Sequence, residues 1–417
     1  MKILWTVNTI FPYPAEQLKI GKSAFGGWLN GLANQLKGQK NIELGIVTVY
    51  DGNEIKKYCD GNIIYYLMPG APALKYNSKL NKFAQAILDD FGPEILHIHG
   101  TEYAHGLSFL NVCNDDVRKI VSIQGLVSCI EKVYLAGIPC SEILENITLR
   151  DIIRQDNLFQ QKSKFKMRGM NEIKIIKKVD AVIGRTTWDY ANTKAINPKE
   201  EYYHNDEVLR TSFYTGKWEI KNCEKYTLFC SQAGYPIKGA HFLLETIAIL
   251  KQRYPKVKLF IAGENILNKG LRTSGYAKYL SRLIDKYKIS DNVTFTGILS
   301  EKEIKEKMLN SHIFVLPSAI ENSSNSLGEA MLLGMPCVAT NTGGTMDMLE
   351  HKKEGYLYPY TEPAMCAEYI SNFFENDNLC ISMGKNASTT AQRRHDPNEN
   401  AKKTLEIYEK VIRNGEK

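Results

Sequence analysis

Short apolar runs alternate with longer stretches of helical spacing along most of the chain. In the first half, the runs KILWTVNT (2–9), IELGIVTV (42–49), IIYYLM (63–68), EILHIH (94–99), KIVSI (119–123) and DAVIG (180–184) predict strands. In the second half the corresponding runs are YTLFCSQ (226–232), VKLFIAG (257–263), VTFTG (293–297), HIFVLPS (312–318), PCVAT (336–340) and GYLY (355–358). Several are continuous rather than alternating, which is the pattern of strands covered on both faces. Between them, apolar positions recur at helical spacing, as at Phe242, Leu243, Ile247 and Leu250. Strand–helix alternation of this kind predicts parallel sheets built from βαβ units, an α/β chain of Rossmann-like domains.

The alternation pauses at RTSFYTGKWEIKNCEK (210–225), which is polar and irregular and is followed by a fresh strand. It reads as a linker between two domains of similar size, 1–215 and 216–395. The last segment, 396–417, is a predicted helix with Leu405, Tyr408 and Val411 on one side. Its pattern leaves open whether it stays on the second domain or crosses back to the first. There is no evident internal repeat or low-complexity tract.

One strand-to-helix turn in the second half concentrates the chemistry. In SAIENSSNSLGEAMLLGMPCVATNTGG (318–344), Glu321 follows the carboxyl end of an apolar strand and Glu329 lies near the start of an apolar helix. The carboxyl end is the side on which open α/β sheets bind ligands. Amides at the helix start, together with the helix dipole, attract phosphate, the dipole contributing ~0.3–1 kcal/mol per exposed negative charge. Carboxylates flanking such a turn are satisfied by hydroxyls, in charge-assisted bonds worth ~1.5–3 kcal/mol each. The combination suggests a nucleotide-sugar, with phosphates on the helix end, one carboxylate on the ribose and one on the sugar. Two plainer readings stand beside this one. Ser326 and Glu329 have the spacing of a capping box, and Glu321 fits a solvated loop acid.

A dinucleotide fingerprint after the first strand is missing. The loop there ends in AFGGWLNGLANQL, where Gly26 and Gly27 open a helix and either bring amides to an anion or simply supply a turn. The histidines show no metal-ligand spacing and no D-x-D occurs, so no metal is expected. His97 and His99, alternate residues of one strand, are expected to face opposite sides, so that at most one of them meets a ligand.

Composition narrows the class. The 417 residues are 43% hydrophobic and 24% charged, ordinary for a globular protein of two or three domains. The first residues read as a strand rather than a signal peptide, and no run approaches the ~18 apolar residues of a membrane span. Nine cysteines without a C-x-x-C pair fit a reducing cytoplasm. The net charge of +7 is mild but locally dense, in KSKFKMRGMNEIKIIKKVD (162–180). That stretch reads either as the solvated face of a helix or as a surface meeting anionic lipid. Nothing suggests nucleic acid as a partner.

The 318–344 stretch resembles the E-x7-E signature of the family 4 retaining glycosyltransferases. The resemblance extends through Gly26-Gly27, PEILHIHG (93–100), YPIKG (235–239), LFIAGE (259–264), VTFTG and GGTMDML (343–349). It implies a GT-B fold, two Rossmann-like domains facing across a cleft. It also implies transfer of a sugar from a nucleotide-diphosphate sugar to an acceptor hydroxyl with retained anomeric configuration. By that resemblance Glu321 sits beside the transferred sugar and Glu329 holds the ribose hydroxyls. The amides of Ser323, Ser324 and Asn325 meet sugar and diphosphate, and Lys238 neutralises the diphosphate. Gly297, Ile298 and Leu299 form the loop at the nucleobase, and His99 is a catalytic candidate, with Glu321 and Lys238, at a strand end of the acceptor-side domain.

Two positions depart from the family pattern. Ala233 stands where many relatives have an arginine, which shifts charge neutralisation onto Lys238, with Arg185 as a candidate helper from the other domain. Gln124 stands where a histidine is common near the sugar; glutamine hydrogen-bonds a sugar but is no general base. The implied mechanism is a front-face attack in which the leaving phosphate takes the acceptor's proton, behind a closure that excludes water. The acceptor implied is a glycan or lipid-linked molecule of bacterial surface polysaccharide or glycolipid assembly, handled at the inner face of the membrane. A nucleotide-sugar 2-epimerase of the same fold, and a non-catalytic sugar-nucleotide-binding subunit, are the alternatives.

Overall fold

The computed structural model describes residues 1–21, 27–71, 75–263, 265–267 and 270–415. Gly26, and Glu264 of the LFIAGE motif, lie outside the described residues. The chain forms two compact units: Met1–Glu131, Lys164–Leu209 and His395–Lys417 in the first, Lys132–Ser163 and Arg210–Arg394 in the second. The division after Leu209 falls earlier than the expected 215/216. The grouping of 132–163 with the second unit has no counterpart in the expected domains.

In the first unit, among the described residues, eight strands form one sheet: β1 (Lys2–Thr6), β2 (Glu43–Tyr50), β3 (Lys56–Asp60), β4 (Ile63–Pro69), β5 (Ile95–His99), β6 (Arg118–Ser122), β7 (Ala181–Gly184) and β8 (Glu201–His204). Their order is β3-β4-β2-β1-β5-β6-β7-β8, parallel except where β3 runs against β4. Side chains alternate across a strand with a period of two. Ile3 and Trp5 therefore join one core with Leu29, Ala33, Leu36, Ile407, Tyr408 and Val411. Leu4 joins the opposite core with Ile87, Phe91, Leu107 and Ile176. Both faces are covered, which is why these strands read as unbroken apolar runs.

The C-terminal helix Pro397–Gly415 packs in this unit. Its Tyr408 is fully buried, and the phenol oxygen accepts a bond of 2.9 Å from the Trp5 indole. A second bond, 2.7 Å, joins Tyr408 to His97 Nδ1. The helix Leu158–Ile176 carries most of the basic stretch. It also carries Glu172, which is fully buried and accepts bonds from Thr101, Val127 and Ser128. One side of that helix is therefore core, and Lys166, Lys174, Lys177 and Lys178 are the exposed cations of the stretch. Among the described residues no helix is long and apolar enough to cross a membrane.

In the second unit, six strands are described: β9 (Glu224–Cys230), β10 (Lys258–Ala262), β11 (Val293–Gly297), β12 (Ser311–Leu316), β13 (Cys337–Thr340) and β14 (Tyr356–Tyr358). Their order is β11-β10-β9-β12-β13-β14, all parallel. The chain builds outward from β9 to β11, then restarts with β12 on the other side of β9. The crevice at the carboxyl ends of β9 and β12 is thus a topological switch point, where open α/β sheets bind ligands.

The segment 210–225, expected as a linker, is packed onto the second unit. Phe213 and Trp218 are buried at 1% and 4% exposure. The Trp218 indole donates to the Ser311 carbonyl at 2.8 Å, and its backbone N–H to the Leu333 carbonyl at 2.7 Å. A few aromatic anchors in a polar stretch are enough to fasten it to the second unit.

Candidate functional site

At the switch point of the second unit the loop after β9 and the loop after β12 meet. The first ends in a 3-10 turn, Pro236–Lys238, and Gly239 starts the helix Ala240–Arg253. Gly239 has φ +72°, and a Cβ there would sit 1.8 Å from the Pro317 carbonyl oxygen. Only glycine brings the two loops this close. The Ala319 N–H closes the junction by donating to the Ile237 carbonyl at 2.8 Å.

This contact places Lys238 against Glu321. The ammonium lies 2.6 Å from Glu321 Oε1, which also accepts from the Ser318 hydroxyl at 2.7 Å. The two side chains are 19% and 14% exposed, so the pair is screened from water but reachable. Burial would depress the lysine, but the adjacent carboxylate outweighs it and holds the ammonium above its ordinary value. Glu321 is fixed from behind as well. The Gly344 N–H donates to its carbonyl at 3.0 Å, and Gly343, φ +55°, leaves no room for a Cβ against that same oxygen.

The helix that follows is Asn325–Leu333. Its N-cap is Ser324, whose hydroxyl accepts from the Leu327 N–H at 3.4 Å. The capping box that the Ser326–Glu329 spacing offered as the plainer reading does not form, because the helix begins one residue before Ser326 and Ser324 caps it. First-turn amides have no partner within their own helix, so this end faces the loop as a set of donors. Ser323, half-buried, directs its hydroxyl to the Met348 sulfur at 3.6 Å.

Glu329, 2% exposed, is held by a residue that the sequence did not single out. Arg210 Nε and Nη2 each donate to it at 2.6 Å, one to each carboxylate oxygen. The guanidinium also lies over the Phe213 ring, 4.8 Å from its centroid. Burial pushes the Glu329 carboxyl up, and the Arg210 fork opposes that shift without cancelling it. An arginine in a polar, irregular stretch carries no periodic or motif signal, which is why it was read as part of a linker.

The remaining expected residues are spread over both units. Gly297, φ +81°, ends the edge strand β11, and Leu299 and the 75%-exposed Ile298 follow it ahead of the helix Glu301–Asn310. Gly27 opens the helix Gly27–Leu36 in the first unit. Gln124, also in the first unit, is half-buried, and its carbonyl accepts from Arg185 at 2.9 Å.

Arg185, the candidate diphosphate helper, is engaged within the first unit. It is 4% exposed, its guanidinium donates to the carbonyls of Ile123 and Gln124, and it is paired with Glu207. Those bonds tie together the strand ends of the first unit. His99, the catalytic candidate of the first unit, is buried and lines a cavity there. It is 2% exposed, with its ring centroid 4.5 Å from that of Trp5 and 6.0 Å from that of Trp28. Burial holds its imidazole well below the ordinary value, in the neutral form. Nor do His97 and His99 face opposite sides; their ring centroids are 3.9 Å apart. Residues two apart on a strand share a face, and the expectation misapplied that period.

Two α/β units, one with a parallel sheet and one with a sheet parallel but for its edge strand β3, define a fold of GT-B type. Sucrose-phosphate synthase from Thermosynechococcus elongatus aligns with 99% of this chain and 99% of its own, at TM-score 0.73 and 15% identity. Anabaena Alr3699/HepE, solved in complex with UDP-glucose, aligns with 98% of this chain and 100% of its own, at TM-score 0.66 and 16% identity. In sequence, residues 213–390, which include Lys238, Glu321 and Glu329, match the family of glycosyl transferases group 1. The chain is 27% identical over 201 residues to the putative glycosyltransferase YtcC of Bacillus subtilis, 48% of each protein. It is 30% identical over 176 residues to D-inositol 3-phosphate glycosyltransferase of Corynebacterium urealyticum, 41% of this chain and 40% of that protein. The chain thus matches about half the length or less of these curated relatives.

Proposed function

We propose that the protein is a retaining glycosyltransferase that moves a sugar from a nucleotide-diphosphate sugar to an acceptor hydroxyl. The observation that carries this reading is the Lys238–Glu321 pair at 2.6 Å, placed at the β9/β12 switch point beside the start of the helix Asn325–Leu333. A cation, a set of helix-end amides and a carboxylate stand together where a pyrophosphate with a sugar on one side needs them. The group 1 match over 213–390 and the UDP-glucose complex of a structural neighbour support the same substrate class.

In this reading, the difficult event is departure of the nucleoside diphosphate. Lys238 and the amides around Ser323, Ser324 and Asn325 stabilise the charge that develops on it, as preorganised donors do. Glu321 orients the sugar and stabilises positive charge on its ring, with no covalent bond to the protein. Glu329 accepts from the ribose, and Gly297, Ile298 and Leu299 face the base. The leaving phosphate accepts the acceptor's proton. His99 and Arg185 are left out of the chemistry, and no metal is required. The acceptor is a glycan or lipid-linked molecule, met in the cytoplasm at an anionic membrane surface by the exposed Lys166, Lys174, Lys177 and Lys178.

The test is incubation with UDP-, GDP- and ADP-sugars and a panel of acceptors, following nucleotide release and product configuration by NMR. Release that requires an acceptor, with the anomeric configuration kept, is the expected result. A donor sugar altered at C2 without an acceptor, or binding without any turnover, overturns the reading.

A further inference from the structure

We propose that Arg210 is a positioning residue for the nucleoside end of the donor: its fork fixes the Glu329 carboxylate so that the lone pairs left over accept the ribose 2′- and 3′-hydroxyls. The inference rests on the reading that a nucleoside diphosphate docks at this helix, and adds to it the residue that makes Glu329 competent.

A carboxylate offers about four lone-pair sites. The two bonds from Arg210, Nε to one oxygen and Nη2 to the other, occupy one site on each. One site per oxygen remains, and two hydroxyls on adjacent carbons match that arrangement. Glu329 is 2% exposed, so bulk water does not serve those sites freely. Arg210 is itself held, over the Phe213 ring and within the turn Arg210 caps, Thr211–Tyr214.

The charges facing Glu329 are Arg210 and, farther off, the Glu301 carboxylate. Burial and Glu301 both favour the protonated acid, and Arg210 alone opposes them. Without the guanidinium, the buried acid takes up a proton. It then donates one bond where it had accepted two, and the diol loses its partner.

The test compares binding of UDP, its 2′,3′-dideoxy analogue and inorganic pyrophosphate to the full chain, by calorimetry, in wild type, Arg210→Gln and Arg210→Lys. In wild type, removing the two hydroxyls is expected to weaken binding by about tenfold to a hundredfold, with pyrophosphate unaffected by the choice of variant. In Arg210→Gln that preference for the ribose form disappears at neutral pH and returns as the pH is raised and Glu329 ionises again. Arg210→Lys, which keeps the charge but loses the fork, retains part of the preference, and it supplies the comparison if Arg210→Gln does not fold. A ribose preference in wild type that survives unchanged in the variants overturns the role of Arg210 and leaves the proposed function standing. Wild type that binds neither UDP, nor its GDP and ADP counterparts, overturns the proposed function itself.

Discussion

Replacing Lys238 by methionine keeps most of the unbranched side chain and removes its charge. In the structure the ammonium meets the Glu321 carboxylate at 2.6 Å, and both side chains are less than one-fifth exposed. A unit charge about 4 Å from a phosphate oxygen interacts by about 4 kcal/mol at an effective dielectric of about 20. Desolvation of the ammonium and the phosphate cancels part of this, leaving the ~1.5–3 kcal/mol net of a charge-assisted hydrogen bond. At about 1.4 kcal/mol per tenfold, nucleoside diphosphate affinity should fall about tenfold to 150-fold. Affinity for the uncharged nucleoside should not change, because Lys238 is assigned to the diphosphate alone. Folding should lose about 3 kcal/mol or somewhat more, since Glu321 is left largely buried with the Ser318 hydroxyl but without its cation. Calorimetric titration with nucleoside diphosphate and with nucleoside separates these effects. Equal losses for both ligands, or no loss for either, would refute the assignment.

Four further outcomes are expected. Glu321→Gln should lower turnover by about a hundredfold or more while leaving nucleoside diphosphate affinity near wild type, read by steady-state kinetics and titration. Gly343→Ala places a Cβ 2.0 Å from the Glu321 carbonyl at φ +55°, so it should cost roughly 1–3 kcal/mol in chemical denaturation and disturb turnover with it. Tyr408→Phe removes the buried oxygen that serves Trp5 and His97, which should cost roughly 1–3 kcal/mol in denaturant unfolding, with nucleotide binding in the second unit unchanged. Glu200 is buried, and burial pushes its carboxyl from the ordinary 4.5 to about 7. The folded state therefore holds a proton that the unfolded state releases between those values, so this contribution is complete below 4.5 and lost as the pH rises through about 7. Thermal unfolding of Glu200→Gln across that window should show a shallower decline than wild type.

How much of this was legible follows from which strands are covered. Most of the twelve runs that read as strands are covered on both faces, and that cover is why several are continuously apolar; β11, an edge of the second sheet with no buried residue, was legible all the same. The two strands that escaped, β3 and β8, are the two edges of the first sheet, and Lys56–Asp60 is half-exposed along its length. Edge strands carry polar and charged residues, so their pattern does not separate them from loops. The E-x7-E loop was legible because a strand end, a polar turn and a helix start are all local signals. Arg210 was not, because its partner Glu329 is 119 residues away in the chain. The same holds for the burial of His99, which depends on Trp5 and Trp28 arriving from elsewhere in the first unit. It holds too for the grouping of Lys132–Ser163 with the second unit.

Diffraction from crystals soaked with UDP-glucose bears most directly on the central claim. The account expects density for the pyrophosphate within hydrogen-bond distance of the amides that open the helix Asn325–Leu333 and of Lys238 Nζ. Glu321 should lie at the sugar and Glu329, still gripped by Arg210, at the ribose. Nucleotide density elsewhere on the chain, with the Lys238–Glu321 pair undisturbed and the helix start empty, contradicts it.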